Sequence, residues 1–471
     1  MNVYIIGAGP GDSGLLTVRA QEILKRAEVV IYDRLISYSI LAMIPENAEL
    51  IDAGKSSGSH KLSQREIESL IIKLAKTGEN IIRLKGGDPF LFGRGAEEAS
   101  ALINAGIDFE IVPGLSSAIC VPEWAGIPVT HRDFCSGLNI FTAHDKNNLL
   151  PDFAKTTKIF LMGVANSEIL QEKLLLDNKL SPDTGCAVIE NGTISKQRII
   201  RTELKNLHES IITNKIMPPA VIVVGETAKL KLDWRGKLPL HNKRVIITRP
   251  AGRSESLIEL LRDSGAEIIS LPTIKTSIIN DSLTNKNLSG YNWAGFTSVT
   301  GVNALIELLR ESKRDIRELG KAKIAAIGQA TANALESHGL KVDFMPEIYD
   351  CEHLAQGLTG QDKILMFRAL NGSPEIAKIF DENNINYNEI CIYRIDYVKL
   401  KHVPEYADFI IFTSASTVRG FAMNTNNLRE VKAICIGNQT ANEALKAGFT
   451  NIEISKQAAI KSIYDCILSC L

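Results

Sequence analysis

Short apolar runs alternate with amphipathic segments through the first half of the chain. Residues 2–7, NVYIIG, predict a buried strand, and residues 15–34 predict an amphipathic helix followed by a second strand. Another short apolar strand is predicted at residues 79–85, ENIIRLK. Strands that alternate with helices in this way favour an α/β fold with a parallel sheet.

A glycine-rich turn follows the strand ENIIRLK, within the run RLKGGDPFLFGRGAEE. Gly86 and Gly87 allow a positive φ and a close approach of the backbone to a ligand, and Asp88 followed by Pro89 fixes the turn. The turn therefore predicts a small-molecule site at the end of a strand. An ordinary connection between a strand and a helix has the same spacing and stays an alternative.

The loop after the first strand has the sequence GAGPGD, residues 7–12. Its first two glycines have the spacing of a dinucleotide-binding loop. However, Asp12 occupies the position of the third glycine, and Pro10 interrupts the loop. The sequence therefore disfavours a Rossmann dehydrogenase.

The second half of the chain contains an internal repeat. Three pairs of segments share a pattern: residues 296–305 with 412–421, 323–344 with 432–454, and 244–268 with 363–387. The repeat predicts two homologous α/β lobes. Each lobe could form from one continuous run or by exchange across the middle of the half, and the pattern allows both.

Length and composition indicate a multidomain protein. The 471 residues suffice for roughly three compact lobes. A junction is predicted around Gly236 and Pro239, between domains at residues 1–240 and 243–471.

The net charge and the cysteine spacing indicate the cellular compartment and the classes of partner. The formal net charge of −1 offers no global attraction to nucleic acid or membranes. Eight cysteines without CxxC spacing indicate free thiols in a reducing cytoplasm. We find neither a signal-peptide pattern nor a membrane span.

Dispersed motifs in the first half point to one family. Besides the GAGPGD loop and the GGDPF turn, they are VVIYDRL (29–35), AGK (53–55), VPGLSSA (112–118), AGIPVTHR (125–132), FLMG (160–163), ENGT (190–193) and PPAVIVVGE (218–226). In this order they resemble the tetrapyrrole methyltransferases, most closely the uroporphyrinogen-III C-methyltransferases. The resemblance implies two α/β lobes with S-adenosylmethionine bound in the cleft between them.

The same resemblance implies which residues line the cofactor site. They are Pro10, Gly86, Gly87, Asp88, Leu91, Ser116, Ser117, Met162 and Gly192. Ser116 and Ser117 stand where relatives commonly carry Thr-Ser or Thr-Ala, so a hydroxyl is retained. A sulfonium methyl donor needs an apolar slot and backbone partners rather than a metal, and Leu91 and Met162 suit that slot. Either could also be a plain core residue.

Two further residues are assigned by the resemblance as proton carriers. Asp33 follows one predicted strand and would accept a proton, while Lys55 follows the next strand and would donate one. Alternatively, Asp33 pairs with Arg34 and Lys55 is a solvated loop cation. A carboxylate-rich tetrapyrrole calls for arginines, and Arg34, Arg94 and Arg132 adjoin the motif loops.

The duplicated half resembles the uroporphyrinogen-III synthases over essentially its whole length. That resemblance implies one lobe built from the two ends, one from the middle, a two-stranded hinge between them, and no cofactor. Hydroxyls of Ser298, Thr331, Ser414 and Thr440 are predicted at strand ends, where they would bind carboxylates. Thr331 and Thr440 could equally cap their helices.

The same resemblance makes Tyr393 the candidate to assist the loss of hydroxide from a hydroxymethylpyrrole. It is predicted to follow a strand near the crossing between the lobes, where an aromatic ring could instead serve packing. No His, Cys or carboxylate stands out as an acid in this half. The reaction then depends mainly on how the protein folds the linear substrate.

Together, the resemblances imply a bifunctional enzyme of the sirohaem and cobalamin branch. Its C-terminal half would cyclise hydroxymethylbilane to uroporphyrinogen III, and its N-terminal half would methylate that product twice to precorrin-2. A homodimer through the N-terminal half is expected. Two rivals are a later precorrin methyltransferase, and a C-terminal half that binds a ligand without catalysis.

Overall fold

The computed structural model describes residues 2–54, 62–143, 155–176, 180–250, 252, 254–360 and 363–471. They form two compact units, Met1–Pro272 with Lys399–Leu471, and Thr273–Val398. Among them, no helix is long and apolar enough to cross a membrane. The predicted proton donor Lys55 lies outside the described residues.

The first sheet is parallel and carries the first sequence motifs. Its strands are β1 (Val3–Gly7), β2 (Val29–Tyr32), β3 (Glu49–Asp52), β4 (Ile81–Lys85) and β5 (Phe109–Val112), in the order β3-β2-β4-β1-β5. The helices of this region are α1 (Val18–Leu24), α2 (Tyr38–Leu41), α3 (Gln64–Ala75), α4 (Gly95–Asn104) and α5 (Ser117–Trp124). Strands β1, β2 and β4 are buried along their whole length, as expected for a parallel sheet covered on both faces.

A mixed sheet follows. Its strands are β6 (Gly137–Thr142), β7 (Thr156–Leu161), β8 (Gly185–Glu190), β9 (Arg198–Glu203) and β10 (Ala220–Val224), in the order β6-β7-β10-β8-β9, with helices α6 (Ser167–Leu176) and α7 (Leu207–Thr213). Strand β10 is antiparallel to both β7 and β8, so those two strands end at the same edge. The FLMG and ENGT motifs, which end these strands, therefore share that edge.

The second half contains ten further strands and eight further α-helices among the described residues. The strands are β11 (Arg244–Ile247), β12 (Glu267–Ser270), β13 (Ile274–Ile278), β14 (Trp293–Phe296), β15 (Lys323–Ala326), β16 (Ile364–Ala369), β17 (Tyr387–Tyr397), β18 (Phe409–Phe412), β19 (Lys432–Cys435) and β20 (Ile452–Ile454). The helices are α8 (Glu255–Asp263), α9 (Val299–Glu311), α10 (Gln329–Ser337), α11 (Cys351–Gly357), α12 (Glu375–Glu382), α13 (Ala415–Asn424), α14 (Asn438–Lys446) and α15 (Ile460–Leu468).

Strand order settles how the repeated lobes are built. One sheet has the order β12-β11-β18-β19-β20, and the other has the order β13-β17-β16-β14-β15. The first combines both ends of the half, and we call it the end lobe; the second uses only the middle, and we call it the middle lobe. Exchange across the middle, one of the two open possibilities, is therefore confirmed.

Strand β17 changes its partner partway along its length. Its first part pairs parallel with β16, and its last part pairs antiparallel with β13. Tyr393 lies at the change, because it pairs with Ala369 of β16 and with Ile278 of β13, beside a register shift at Arg368/Ala369. The expectation that Tyr393 follows a strand is wrong, because the strand continues through this irregularity to Tyr397.

The N-terminal half and the end lobe share apolar contacts. Tyr38 and Ala42, in and just after α2, pack against the end-lobe core that contains Phe412 and Phe449. Leu240, at the predicted junction, is fully buried in another end-lobe core. The junction is therefore packed against the lobe that follows it.

Candidate active site

Two glycine loops meet at the carboxyl edge of the first sheet. The N–H of Gly9 donates to the carbonyl of Gly87 at 3.2 Å, and the N–H of Gly87 donates back to Gly9 at 2.8 Å. Gly87 has a φ of +66°, which confirms the positive φ expected in this turn. The GAGPGD and GGDPF loops thus form one continuous backbone surface.

A third loop reaches the same place through Gly114. A Cβ atom on Gly114 would lie 2.2 Å from the carbonyl oxygen of Gly87 and 2.7 Å from Cα of Gly7. Only glycine fits so close an approach. The start of the first helix also distinguishes this site from a Rossmann loop. In a Rossmann loop the helix follows the glycines directly, whereas α1 begins only at Val18.

Asp88 ties these loops together. Its Oδ2 accepts from the N–H of Gly114 at 3.2 Å, and its Oδ1 accepts from the N–H groups of Phe90 and Leu91 at 2.9 and 3.1 Å. The carboxylate therefore supports the backbone of two loops. Direct contact between Asp88 and a cofactor stays a prediction.

Four other predicted cofactor residues lie along this edge and are partly exposed. Pro10 and Gly86 belong to the two bridged loops. Ser116 caps α5, where its Oγ accepts from the N–H of Ala118 at 3.2 Å. Ser117 begins that helix, and its backbone nitrogen would lie 3.7 Å from a Cβ on Gly87.

Strained backbone marks the loops of the second sheet. Met162 has a φ of +59° and is 44% exposed, while Asn191 and Thr193 have φ values of +51° and +71°. Such values are uncommon for residues other than glycine, and they cluster at functional sites. Between the last two, Gly192 is required because a Cβ there would lie 2.5 Å from Val121.

The loops of the two sheets touch each other. The N–H of Asp12 donates to Oγ1 of Thr193 at 3.2 Å. Leu91, from the GGDPF turn, packs against the core that contains Val121 and Ile189. The structure thus brings the predicted cofactor residues of both sheets to adjoining loops.

A buried ionic network lies under this edge. Asp33 directly follows β2, as predicted, and its Oδ1 accepts from Nη2 of Arg83 at 2.5 Å. Arg83 also donates from Nε to Glu98 at 3.0 Å, and Lys85 donates to the same Glu98 oxygen at 2.9 Å. The side chain of Asp33 is 33% exposed, whereas those of Arg83 and Glu98 are 2% and 0% exposed. Asp33 is therefore the member of the network that faces outward.

This network corrects one expectation and adds residues that sequence reasoning missed. The partner of Asp33 is Arg83 and not Arg34, because β2 and β4 are neighbours in the sheet. The sequence predicts Arg83 and Lys85 only as members of an apolar strand. Their alternation with Ile82 and Leu84 was the available signal, since residues two apart in a strand share a face.

Burial lowers the pKa of Lys85, and the nearby charge of Arg83 lowers it further, whereas Glu98 and Asp33 raise it. Oε2 of Glu98 has no hydrogen-bond partner within the described residues. Two cations and two carboxylates thus share one nearly dry site, which holds the side chain of Asp33 in place.

The predicted substrate arginines are all exposed. Arg94 pairs with Glu97 at 3.0 Å and has a φ of +59°. Arg34 and Arg132 have no partner in the part of the chain that the structure describes. Arg34 and Arg132 can therefore reach an anionic ligand directly, whereas Arg94 would have to leave Glu97 to do so.

In the middle lobe, two predicted residues meet. The hydroxyl of Tyr393 lies 2.9 Å from Oγ of Ser298, which also caps α9 by accepting from the N–H of Gly301 at 2.9 Å. Tyr393 is only 6% exposed and packs in the core of this lobe. The ring of Tyr393 therefore packs in the core while its hydroxyl contacts Ser298.

The repeated GxxT segments correct another expectation. Gly328 and Gly437 are the N-cap residues of α10 and α14, so Thr331 and Thr440 do not cap these helices. Both threonines lie in the first turn and are 3% and 4% exposed. By contrast, Ser414 caps α13 and accepts from Thr417 at 3.2 Å. Substrate binding by these residues stays a prediction.

Comparisons with known proteins identify both halves. The family model for tetrapyrrole (corrin/porphyrin) methylases matches residues 2–208, and the model for uroporphyrinogen-III synthase HemD matches residues 255–465. The porphyrin biosynthesis protein HemD of Ruminiclostridium josui is 38% identical over 99% of this chain and 97% of its own. Uroporphyrinogen-III C-methyltransferase of Bacillus subtilis is 37% identical over 72% of each chain. A solved uroporphyrin-III C-methyltransferase from Thermus thermophilus, complexed with S-adenosylhomocysteine, is 34% identical over 49% of this chain and 99% of that one, with a TM-score of 0.43.

The architecture, the two family models and the relative from Ruminiclostridium josui define an α/β enzyme of tetrapyrrole biosynthesis with two activities. The chain belongs to the porphyrin-biosynthesis family that joins a tetrapyrrole methylase to a uroporphyrinogen-III synthase, since a relative matches it at 38% identity over 99% of its length. Both family resemblances are therefore confirmed. The methylase family uses S-adenosylmethionine.

Proposed function

We propose that the C-terminal half closes hydroxymethylbilane to uroporphyrinogen III, and that the N-terminal half methylates this product twice with S-adenosylmethionine to give precorrin-2. One observation carries the methyltransferase assignment. Asp33, an ion-paired but partly exposed carboxylate, lies at the sheet edge where the two bridged glycine loops begin.

The loops at this edge fit S-adenosylmethionine. At Gly86 and Gly87, added Cβ atoms would first meet Leu35 at 3.4 Å and Ser117 at 3.7 Å, so the missing side chains leave open backbone there. Met162 adds an exposed apolar side chain. When bound, the cofactor supplies an electrophilic methyl group, and these loops would hold and orient it.

Proton transfer would fall to Asp33. A pyrrole carbon that gains a methyl group must lose a proton, and the exposed side of Asp33 can accept it. Arg83 would act by fixing the orientation of this carboxylate. We retain Lys55 as the proton donor, and we assign Arg34, Arg94 and Arg132 to the substrate carboxylates.

In the C-terminal half, Tyr393 would assist departure of the leaving group. The bond between the hydroxymethyl carbon and its oxygen breaks, hydroxide leaves, a pyrrole carbon closes the ring, and the proton released there completes a water molecule. The Tyr393 hydroxyl, oriented by Ser298, can donate to the departing oxygen. Hydroxyls of Ser298, Thr331, Ser414 and Thr440 would bind carboxylates, and no cofactor is needed.

We place the domain boundary between residues 240 and 243, and we expect a homodimer through the N-terminal half. Light scattering of the full chain tests the dimer. A monomeric mass at micromolar concentration would contradict it.

The product distribution tests the whole function. Hydroxymethylbilane closes spontaneously to the type I isomer, so the full chain should convert it mainly to type III. With S-adenosylmethionine added, the type III product should gain two methyl groups by mass. Type I product alone would favour a C-terminal half that only binds its ligand. Methylation of a later precorrin, but not of uroporphyrinogen III, would favour the other rival.

A further inference from the structure

The loop between β8 and β9, residues 191–197, is attached to the end lobe. The Ser195 N–H donates to Oε2 of Glu267 at 2.8 Å, and its hydroxyl donates to the same oxygen at 2.5 Å. The Ser195 hydroxyl also lies 2.6 Å from the hydroxyl of Tyr406. One serine of the N-terminal half is thus held by two side chains of the C-terminal half.

Glu267 is itself fixed within the end lobe. Arg244 donates to it from Nε and Nη2 at 3.1 and 2.9 Å, and the side chains of both residues are at most 5% exposed. The guanidinium of Arg244 also lies 3.9 Å from the centre of the Tyr406 ring. A buried carboxylate with this bidentate partner is a rigid attachment point.

The 191–197 loop has an uncommon backbone conformation. Its residues Asn191 and Thr193 have positive φ, a conformation that persists only where the surroundings enforce it. Within the N-terminal half, Thr193 donates its N–H to Gln197 at 2.9 Å and accepts from Asp12 at 3.2 Å. Support from outside that half comes from the contacts of Ser195 with Glu267 and Tyr406, and from Nζ of Lys196, which lies 3.9 Å from the centre of the Tyr406 ring.

We propose that Glu267 of the synthase half is a positioning residue for the cofactor loop of the methyltransferase half. This inference rests on the proposed function, because it takes Gly192 of this loop as part of the S-adenosylmethionine site. The end lobe then completes the methyltransferase site without touching the cofactor.

A double-mutant cycle in the full chain tests the proposal, with affinity for S-adenosylhomocysteine measured by calorimetry. Ser195→Ala and Glu267→Gln should each weaken binding about tenfold, on the scale of one hydrogen bond to a charged group. Their combination should be no weaker than the worse single variant, since both act on the same hydrogen bond between the Ser195 hydroxyl and the Glu267 carboxylate. Ser195→Thr, which keeps the hydroxyl, should restore most of the affinity.

A matched control lies inside the end lobe. The Ser264 hydroxyl lies 2.6 Å from that of Tyr464, the same separation as in the pair of Ser195 and Tyr406. Ser264→Ala should therefore leave cofactor affinity unchanged. Parental affinity in Ser195→Ala, equal losses in Ser264→Ala, or additive losses in the cycle would each overturn the proposal. If Glu267→Gln does not fold, Ser195→Ala, its Thr rescue and the control decide. Failure of the parent chain to bind would instead refute the proposed methyltransferase function.

Discussion

Arg83 donates to Asp33 at 2.5 Å from an almost completely buried position, and Asp33 lies partly open beside the glycine loops. Strand order causes this pairing, because β4 lies between β1 and β2. The arrangement gives Asp33 a fixed orientation while its remaining surface can meet a ligand.

Asp33→Asn should lower methylation turnover by about 10²-fold, the scale of a lost general base. The amide keeps the size of the side chain, so affinity for S-adenosylhomocysteine should stay near that of the parent. Steady-state turnover and calorimetry check the two statements. Turnover within a few-fold of the parent would leave Asp33 with only its ion pair.

Arg83→Met should destabilise the protein by about 3–5 kcal/mol, since it removes a partner from a buried carboxylate, Glu98. Urea unfolding measures the loss. The control is Arg19→Met, which breaks an exposed pair with Glu110 that also has two hydrogen bonds. The urea midpoint of Arg19→Met should stay close to that of the parent. Similar midpoints for both variants would contradict the importance of burial here.

Gly87→Val should abolish measurable binding of S-adenosylhomocysteine. A β-branched residue disfavours the φ of +66°, and its side chain would enter the open space between the loops. Gly78→Val is the matched control, because Gly78 has a φ of +87° and no neighbour within 4 Å of an added Cβ. It should share the backbone strain and keep parental affinity. Normal binding by Gly87→Val would remove this turn from the cofactor site.

Tyr393→Phe should slow formation of type III product while preserving the fold, because it removes only the hydroxyl that contacts Ser298. The rate of type III formation at matched enzyme concentration measures this. Tyr464→Phe, which removes a hydroxyl from the pair with Ser264, should keep the parental rate. A parental rate in Tyr393→Phe would leave substrate folding as the whole explanation for catalysis.

Stability should fall as the pH drops below about 6.5, in part through His402. Burial lowers the pKa of His402 from its usual 6.5, and Lys401 lowers it further while Asp52 opposes them. The unfolded chain then binds more protons than the folded one below about pH 6.5, so acid favours unfolding. His402→Gln should flatten the melting temperature against pH over this range. An unchanged slope of melting temperature against pH would show that His402 does not cause the loss of stability. In the folded chain, Nε2 of His402 lies 3.4 Å from the Tyr32 hydroxyl.

Local patterns made part of this architecture predictable. Apolar runs marked β1, β2 and β4, and paired glycines marked the turn at Gly87, because these features depend on neighbouring residues. The partner of Asp33 required the strand order, and the contact of Ser195 with Glu267 joins residues 72 positions apart. The alternative that Thr331 caps its helix is wrong for a simpler reason. The glycine of the GxxT motif can itself occupy the N-cap, so Thr331 lies inside the helix.

The exchanged lobes set an order of events on the ribosome. Strand β11 pairs with β18, for example at Val245 and Phe409. Because the middle lobe lies between these strands in the sequence, β18 is synthesised only after the entire middle lobe. Until then β11 has an open edge, the kind of surface that attracts other nascent chains. The middle lobe can meanwhile fold as an insertion, since its strands pair with one another. Translation of the last strands is therefore the moment at which the end lobe closes and its exposure to misassembly ends.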